Sequence, residues 1–374
     1  MFKFLLFILF FPIFLLSNTQ MKKVSLQLSW FNQFQFAGYY MAKEKGFYSQ
    51  KNLDVEIKPF SFGINVPKDV SLGKSDFAIG RETLILEKTN NYNNIVALYA
   101  LFQVSPLILL TKEESKINSI KDFSNKRLMS TIDDSNEVSL KAMMLSNHLN
   151  FKDITFLKHT HNISDLINNN TDIISAYTSK TPFELQEKNI PYKIFAPKDY
   201  GFDMYSDFLF TSEEFIQNNI STVNDFKEAS LKGWEYAYEN IEESVNLIFQ
   251  KYNTQNLSKE ALLFEAKELK KLSHYNNNIL GNIDNSKMIR IYDLYNVMGI
   301  INNKNYDLKD FVFNEKNYFF TKEENKYLKN EIIKMCVQSN LLPYESIDNG
   351  NFIGIVSDYK KIFEEKLNTK IAII

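Results

Sequence analysis

Apolar and polar residues alternate through the first half of the chain and shift to helical spacing in the second. From Leu26 the chain reads LQLSW, an alternating strand ending at Trp30, and then FNQFQ, a loop that mixes amides with aromatics. FAGYYMAKEKGFY follows as a helix stopped by Gly46, and LDVEI alternates again as a second strand. Val66 to Gly80, VPKDVSLGKSDFAIG, reads as helix, tight turn, Asp76 and strand. Ser164 to Tyr177, SDLINNNTDIISAY, repeats that order with an Asn-rich turn and Asp172. Strands alternating with helices imply a largely parallel sheet, and a unit used twice implies two lobes of similar build. PLILLT, Pro106 to Thr111, is expected to leave the first lobe, and SDFLFTS, Ser206 to Ser212, to bring the chain back. Lobe I is then expected at about 22–111 and 213–315, and lobe II at about 112–212. Helical spacing predicts three later helices, DFKEASLKGWEYAYENI, KEALLFEAKELKKLSHY with Ser258 as its N-cap, and SKMIRIYDLYNVMGI.

Both ends of the chain differ from this pattern. Residues 1–19 read as a secretory signal, with Lys3, an apolar run from Leu5 to Leu16 and a polar flank at Ser17–Thr19. The run is short for a membrane span, and without an Ala-x-Ala cleavage pattern an uncleaved N-terminal anchor is the alternative. Residues 316–331 read as a linker. From 332 a new α/β pattern begins: IIKMCVQS as a strand, a hairpin around Asn349-Gly350, SDYKKIFEEKLN as a helix and KIAII as a strand. So short a unit cannot bury its apolar faces alone, and 332–374 is read as the truncated, incomplete start of a second α/β domain.

Composition narrows the function. The 374 residues are 44% hydrophobic and 14% aromatic, enough for a sizeable core. A net charge of −2, with basic residues spread along the chain, argues against a nucleic-acid surface. The single cysteine, Cys336, excludes an internal disulfide and a four-Cys metal site. His159 and His161 would share one side of a strand as two metal ligands could, but no third ligand is evident, so they are read as solvent-exposed loop residues and no metal or cofactor is expected.

In open α/β sheets ligands gather beyond the carboxyl ends of strands. That rule places Trp30, Gln33, Gln35 and Phe36 where a small flat molecule would be stacked and hydrogen-bonded. Trp30 is otherwise a packing residue between sheet and helix, Gln33 and Gln35 solvated loop residues, and Phe36 and Tyr39 core or hinge residues. Arg81 and Glu82 follow the strand FAIG. Arg81 either grips an anion through its bidentate fork or pairs with Glu82 or carboxylates across the cleft. Asp133, Asp134 and Ser135 hold the matching place in the second lobe, as ligand contacts or as helix caps. Tyr177 ends the strand IISAY and offers a second aromatic wall. Asp203 contacts either ligand or the crossover hinge.

LSWFNQFQFAGYYMAKEKGFY, with GKSDFAIG and DYGFDMYSDFLFTSEEFI, resembles the superfamily of thiamine-pyrimidine-precursor and alkylsulfonate binding proteins, over roughly residues 22–315. That resemblance implies a type II periplasmic binding fold, two α/β lobes joined by two crossover strands. The tail from Tyr327 resembles the opening of a second periplasmic domain of the amino-acid-binding type. The resemblance implies an extracytoplasmic binder of a small heterocycle, such as a thiamine pyrimidine precursor, working with an ABC permease or as the sensor of a membrane signalling protein. Thr181 stands beside Pro182 where such proteins often carry an acidic residue. The alternative it implies is a pyrimidine synthase that consumes pyridoxal phosphate and its own histidine. Such enzymes carry a histidine in the loop after the first strand and a Cys-rich iron site, whereas the loop here is FNQFQF and Cys336 is remote.

Overall fold

The computed structural model describes residues 20–131, 137–301, 308, 311–318, 322–367 and 369–374. Two five-stranded sheets form the body of the molecule. The first holds β1 (Lys22–Gln27), β2 (Leu53–Lys58), β3 (Phe77–Gly80), β4 (Ile95–Phe102) and β10 (Ser206–Ser212), in the order β2-β1-β3-β10-β4. The second holds β5 (Leu107–Lys112), β6 (Arg127–Ser130), β7 (Thr155–Lys158), β8 (Ile173–Tyr177) and β9 (Tyr192–Phe195), in the order β7-β6-β8-β5-β9. The two orders are equivalent position by position. In each, the fourth strand runs antiparallel to its neighbours and is the first strand after a crossover: β10 against β3 and β4, β5 against β8 and β9.

These memberships correct the expected lobe boundaries. β5 belongs to lobe II and β10 to lobe I, so the crossovers are residues 103–106 and 196–205. Both strands are buried along their whole length. A run buried on both faces looks the same whichever sheet it joins, so hydropathy alone does not assign it.

The repeated aspartates have the same job in both lobes. Asp76 Oδ2 accepts from the Ser25 backbone N–H at 2.7 Å, and Asp172 Oδ2 from the Arg127 backbone N–H at 2.9 Å. Each carboxylate thus ties the entry of one parallel strand to the strand beside it. Asp172 is also gripped by the Arg127 guanidinium at 2.8 Å, which holds its carboxyl below the usual range.

Helices α1 (Ala37–Glu44) and α2 (Val66–Ser71) cover the first sheet, while α3 (Val138–Ser146), α4 (Ser164–Ile167) and α5 (Thr181–Glu187) cover the second. The chain then returns to lobe I with α6 (Glu213–Glu239), α7 (Ile241–Leu247), α8 (Lys259–Ser273) and α9 (Asn285–Val297). Helix α6 begins at Ser212, its N-cap, and kinks at Asn219, so it starts well before the expected Asp225. Gly46, at φ +74°, ends the turn after α1 as expected. Val312 bridges to Ala97, and the Phe313 N–H donates to the Ala97 carbonyl at 2.8 Å, so lobe I closes near residue 313.

The tail follows the expected pattern. After α10 (Lys322–Asn330), β11 (Ile333–Met335) pairs in parallel with β15 (Ile371–Ile373). β12 (Asn340–Leu341), β13 (Glu345–Asp348) and β14 (Asn351–Ile353) form an antiparallel meander before α11 (Ile355–Leu367). Asn349 and Gly350 both take positive φ at the β13–β14 turn, as a two-residue hairpin demands. Ile332, Leu342, Tyr344, Tyr359 and Phe363 each keep more than half of their surface in solvent. The elements are present, but their apolar faces lack cover. No described helix is long and apolar enough to cross a membrane.

Lobe I is organised around the contact of α1 with α6. A Cβ built on Gly233 would lie 2.1 Å from the Gly38 carbonyl oxygen, and one on Gly38 would lie 2.2 Å from the Trp234 ring. Backbone therefore meets backbone, with Trp234 fully buried beside it. Alanine in a helix interior normally gains up to about 1 kcal/mol over glycine. Here G233A is expected to destabilise by about 2–3 kcal/mol, because overpacking outweighs that gain. Chemical denaturation of the variant checks the sign.

Candidate functional site

The loop after β1 is built around buried polar groups. Glu265, on the buried face of α8, accepts the backbone N–H groups of Phe34 at 2.9 Å and Gln35 at 3.1 Å. Held this way, the loop turns both glutamines inward. Gln255 Nε2 donates to Gln33 Oε1 at 3.2 Å, Gln33 Nε2 to Gln35 Oε1 at 2.7 Å, and Gln35 Nε2 to Asp207 at 2.8 and 3.1 Å. A continuous amide chain therefore runs from α8's approach to β10, with Gln33, Gln35 and Asp207 all buried.

Asp207 sits at φ +52°, a left-handed conformation that non-glycine residues seldom adopt. Burial pushes its carboxyl up to about 8, with the charge of Glu82 adding to the shift and the Gln35 hydrogen bonds opposing it. Glu265 is raised to about 7 by burial, against the two backbone N–H donors. Glu137, where α3 begins, rises to about 8 through burial and then the charge of Glu82. It receives the Tyr295 hydroxyl at 3.3 and 3.4 Å, a contact between lobe II and α9 of lobe I. Glu82 accepts from Ser105 of the first crossover at 2.5 Å, and Arg81 Nε lies 3.9 Å from its other oxygen. Among the described residues, four buried carboxyl groups thus line the seam between the lobes.

Two aromatic contacts close the seam at its rims. Trp30, half-buried, stacks on Phe60 at 5.3 Å and 29° and meets Phe31 and Phe62 edge-on. From lobe II the His161 imidazole approaches Trp30 at 5.7 Å. His161 is presented by a tight loop in which its backbone N–H donates to His159 Nδ1 at 2.8 Å, while His159 Nε2 lies 3.0 Å from the Ser175 carbonyl. The first bond makes Nδ1 an acceptor, so Nε2 carries the proton and donates. At the other rim Phe183 of α5 faces Phe264 of α8 at 5.3 Å. Beside this pair a cleft of about 240 Å³ lies between the lobes, lined by Gln33, Glu265, Ser179, Lys180, Phe183 and Glu184, among others.

The sequence expectations meet this geometry unevenly. Trp30 stands at the inter-lobe rim, and Gln33 and Gln35 lie in the buried chain rather than in solvent. Thr181 is the first residue of α5, next to the cleft-lining Lys180. Phe36 and Tyr39 are core residues, 0% and 1% exposed, since α1 turns them toward the sheet and α6. Tyr39 accepts the Tyr99 hydroxyl at 2.8 Å. Tyr177 pairs with Leu107 in the β5–β8 ladder and packs against the lobe II core. Asp203 is ion-paired with Lys287 at 2.9 Å in the second crossover. Asp133, Asp134 and Ser135 lie outside the described residues. His161, read as a solvent loop residue, is exposed and also meets Trp30 across the lobes at a tilt of 47°. Asp207, Glu265, Glu137 and Ser105 were not singled out. Glu265 shares a helical stripe with Leu262, Ala266 and Leu269, the one sequence sign that it points inward.

The sequence profile of the NMT1/THI5-like family matches residues 33–244, more than half of the chain. The chain belongs to that family. This NMT1/THI5-like protein is 22% identical over 236 residues to a Haemophilus influenzae protein named as a candidate thiamine biosynthesis protein, covering 62% of this chain and 73% of that one. It is 21% identical over 239 residues to the riboflavin-binding protein RibY of Chloroflexus aurantiacus, covering 62% and 66%. Among solved structures, the periplasmic aliphatic sulphonate binding protein SsuA of Escherichia coli superposes with a TM-score of 0.62 at 13% identity, over 78% of this chain and 92% of that one. The fold is that of periplasmic binding proteins.

The buried carboxyl at Asp207 makes a pH prediction for this NMT1/THI5-like protein. Its folded value of about 8 lies far above the roughly 3.9 of a free aspartate, so the folded state holds a proton that the unfolded state releases. The stability it contributes is full below about pH 4 and is lost as pH rises through about 8. D207N keeps a neutral side chain that tolerates positive φ. Its melting temperature is expected to fall less than that of the unchanged protein between pH 5 and 8, by the equivalent of one proton. Thermal melts across that range measure the difference.

Proposed function

We propose that this protein is a non-catalytic, extracytoplasmic binder of a small, flat, amine-bearing heterocycle, of the thiamine pyrimidine precursor kind, held between its lobes. The observation that carries this reading is the inter-lobe cleft in which Gln33 and Glu265 of lobe I face Ser179, Lys180 and the Phe183 ring of lobe II, with Trp30 at the opposite rim. A flat ring needs one face to stack on and an edge of acceptors and donors to read it. Lobe closure supplies both at once, and ligand binding drives it to the extent that the closed state binds better.

The charge of the seam supports an amine over an anion. Glu82, Glu137, Asp207 and Glu265 are 2%, 2%, 2% and 5% exposed, against the cations Arg81 and Lys180. Four buried carboxyl groups against two cations favour a ligand that donates hydrogen bonds over one that only accepts them. The sulphonate ligands of the fold neighbours therefore do not transfer, although the fold does. A ligand that donates to carboxylates gains from the same arrangement. The relatives' names, in thiamine biosynthesis and flavin binding, support a nitrogen heterocycle. A cleft of about 240 Å³ favours one ring over a fused three-ring system. Delivery to an ABC permease is the partner we infer, with the tail elements as the sensor-domain variant of the same reading.

Trp30 and Trp234 are the two tryptophans, and Trp234 is fully buried, so ligand quenching of fluorescence reports on Trp30. Titration with aminopyrimidines, riboflavin and alkylsulfonates is expected to change Trp30 emission with the first group as the lobes close, and F183A to weaken that binding by about tenfold. Saturable binding of sulfonates in preference to aminopyrimidines overturns the assignment.

A further inference from the structure

The C-terminal strap of lobe I ends at the hinge. Lys287, in the first turn of α9, is 7% exposed. Its Nζ donates to the Gln103 carbonyl oxygen at 2.6 Å, and Gln103 is the first residue of the first crossover. The same Nζ lies 2.9 Å from Asp203 Oδ2 and 4.3 Å from the Tyr205 ring, both on the second crossover. One ammonium thus touches both chain segments that join the lobes. Neighbouring contacts reinforce it. Gln103 Nε2 donates to the Asn282 carbonyl at 2.9 Å, the Gln103 N–H to the Leu272 carbonyl at 3.0 Å, and the Asp284 N–H to the Tyr205 hydroxyl at 2.9 Å.

We propose that Lys287 is a hinge clamp: it fastens both crossovers to lobe I, so that they turn as one and bending is confined to their lobe II ends, near residues 104–106 and 196–202. A buried ammonium with one carboxylate and one carbonyl partner makes strong, directional contacts that a hydrophobic plug of the same volume lacks. Two crossovers held separately would let the lobes twist as well as close. Held by one cation they leave a single closing motion, which brings His161 to Trp30 and Phe183 to Phe264 in register. The contacts of Lys287 are to the crossovers and not to the residues that line the cleft, so it acts on binding only by positioning. The inference stands on the two-lobed fold and holds whatever the ligand is.

The test uses the full chain with spin labels on cysteines introduced by E235C and K152C, one in each lobe, in a C336S background. K287M is expected to broaden the inter-lobe distance distribution and to speed amide exchange in 103–106 and 203–206 about tenfold relative to the lobe cores. K287R is expected to recover most of both. D203N, whose parent side chain is 37% exposed, is expected to act in the same direction and to add little to K287M, since the two share one contact. Should K287M fail to fold, D203N and K287R carry the test. Unchanged distances with exchange faster everywhere would mean plain loss of stability and would overturn the proposal, as would full additivity of K287M and D203N.

Discussion

The cleft depends on a carboxyl group that water does not reach. Asp207 lies one residue into β10, just where the chain re-enters lobe I, and its left-handed backbone aims the side chain at Gln35. Without that acceptor the two glutamines after β1 would be buried amides with one partner too few, a cost of about 1–3 kcal/mol for each orphaned group. With it, the loop has a single satisfied arrangement, pinned from the opposite side by Glu265 on α8. The cleft wall is therefore as much a product of β10 and α8, contributed by distant sequence, as of the loop that forms its surface.

The same seam gathers three carboxyl groups, Glu137, Asp207 and Glu265, whose folded values burial raises to about 7 to 8. A donor-rich or cationic guest held there would offset part of the cost of burying them.

Much of the fold was legible because hydrophobic period reports local structure faithfully. The α/β alternation, the repeated aspartate unit, the Gly46 stop and the Asn349-Gly350 turn all follow from neighbours along the chain. The sheet that β5 and β10 each join does not, since LILLTK and SDFLFTS would be buried on both faces in either lobe. Of the candidate site, the inter-lobe place of Trp30 and Gln33 follows from their standing at a strand's carboxyl end. For Phe36 and Tyr39 the core alternative is the one the structure shows, because one helical turn separates a cleft-facing position from a core-facing one. Glu265 looked like one more charge on an amphipathic helix, and Asp207 like a polar residue at a strand's start. Their importance arises from burial, which only the assembled lobes create.

The bare contact between Gly38 and Gly233 bears on how this lobe can change over time. Two helices that touch through backbone atoms leave no slack to share: a larger residue at Gly38 needs a smaller one where Trp234 now stands, and one at Gly233 meets backbone that no side-chain change can move. Among relatives that keep this crossing, position 233 should stay glycine, while positions 38 and 234 should drift together as a linked pair.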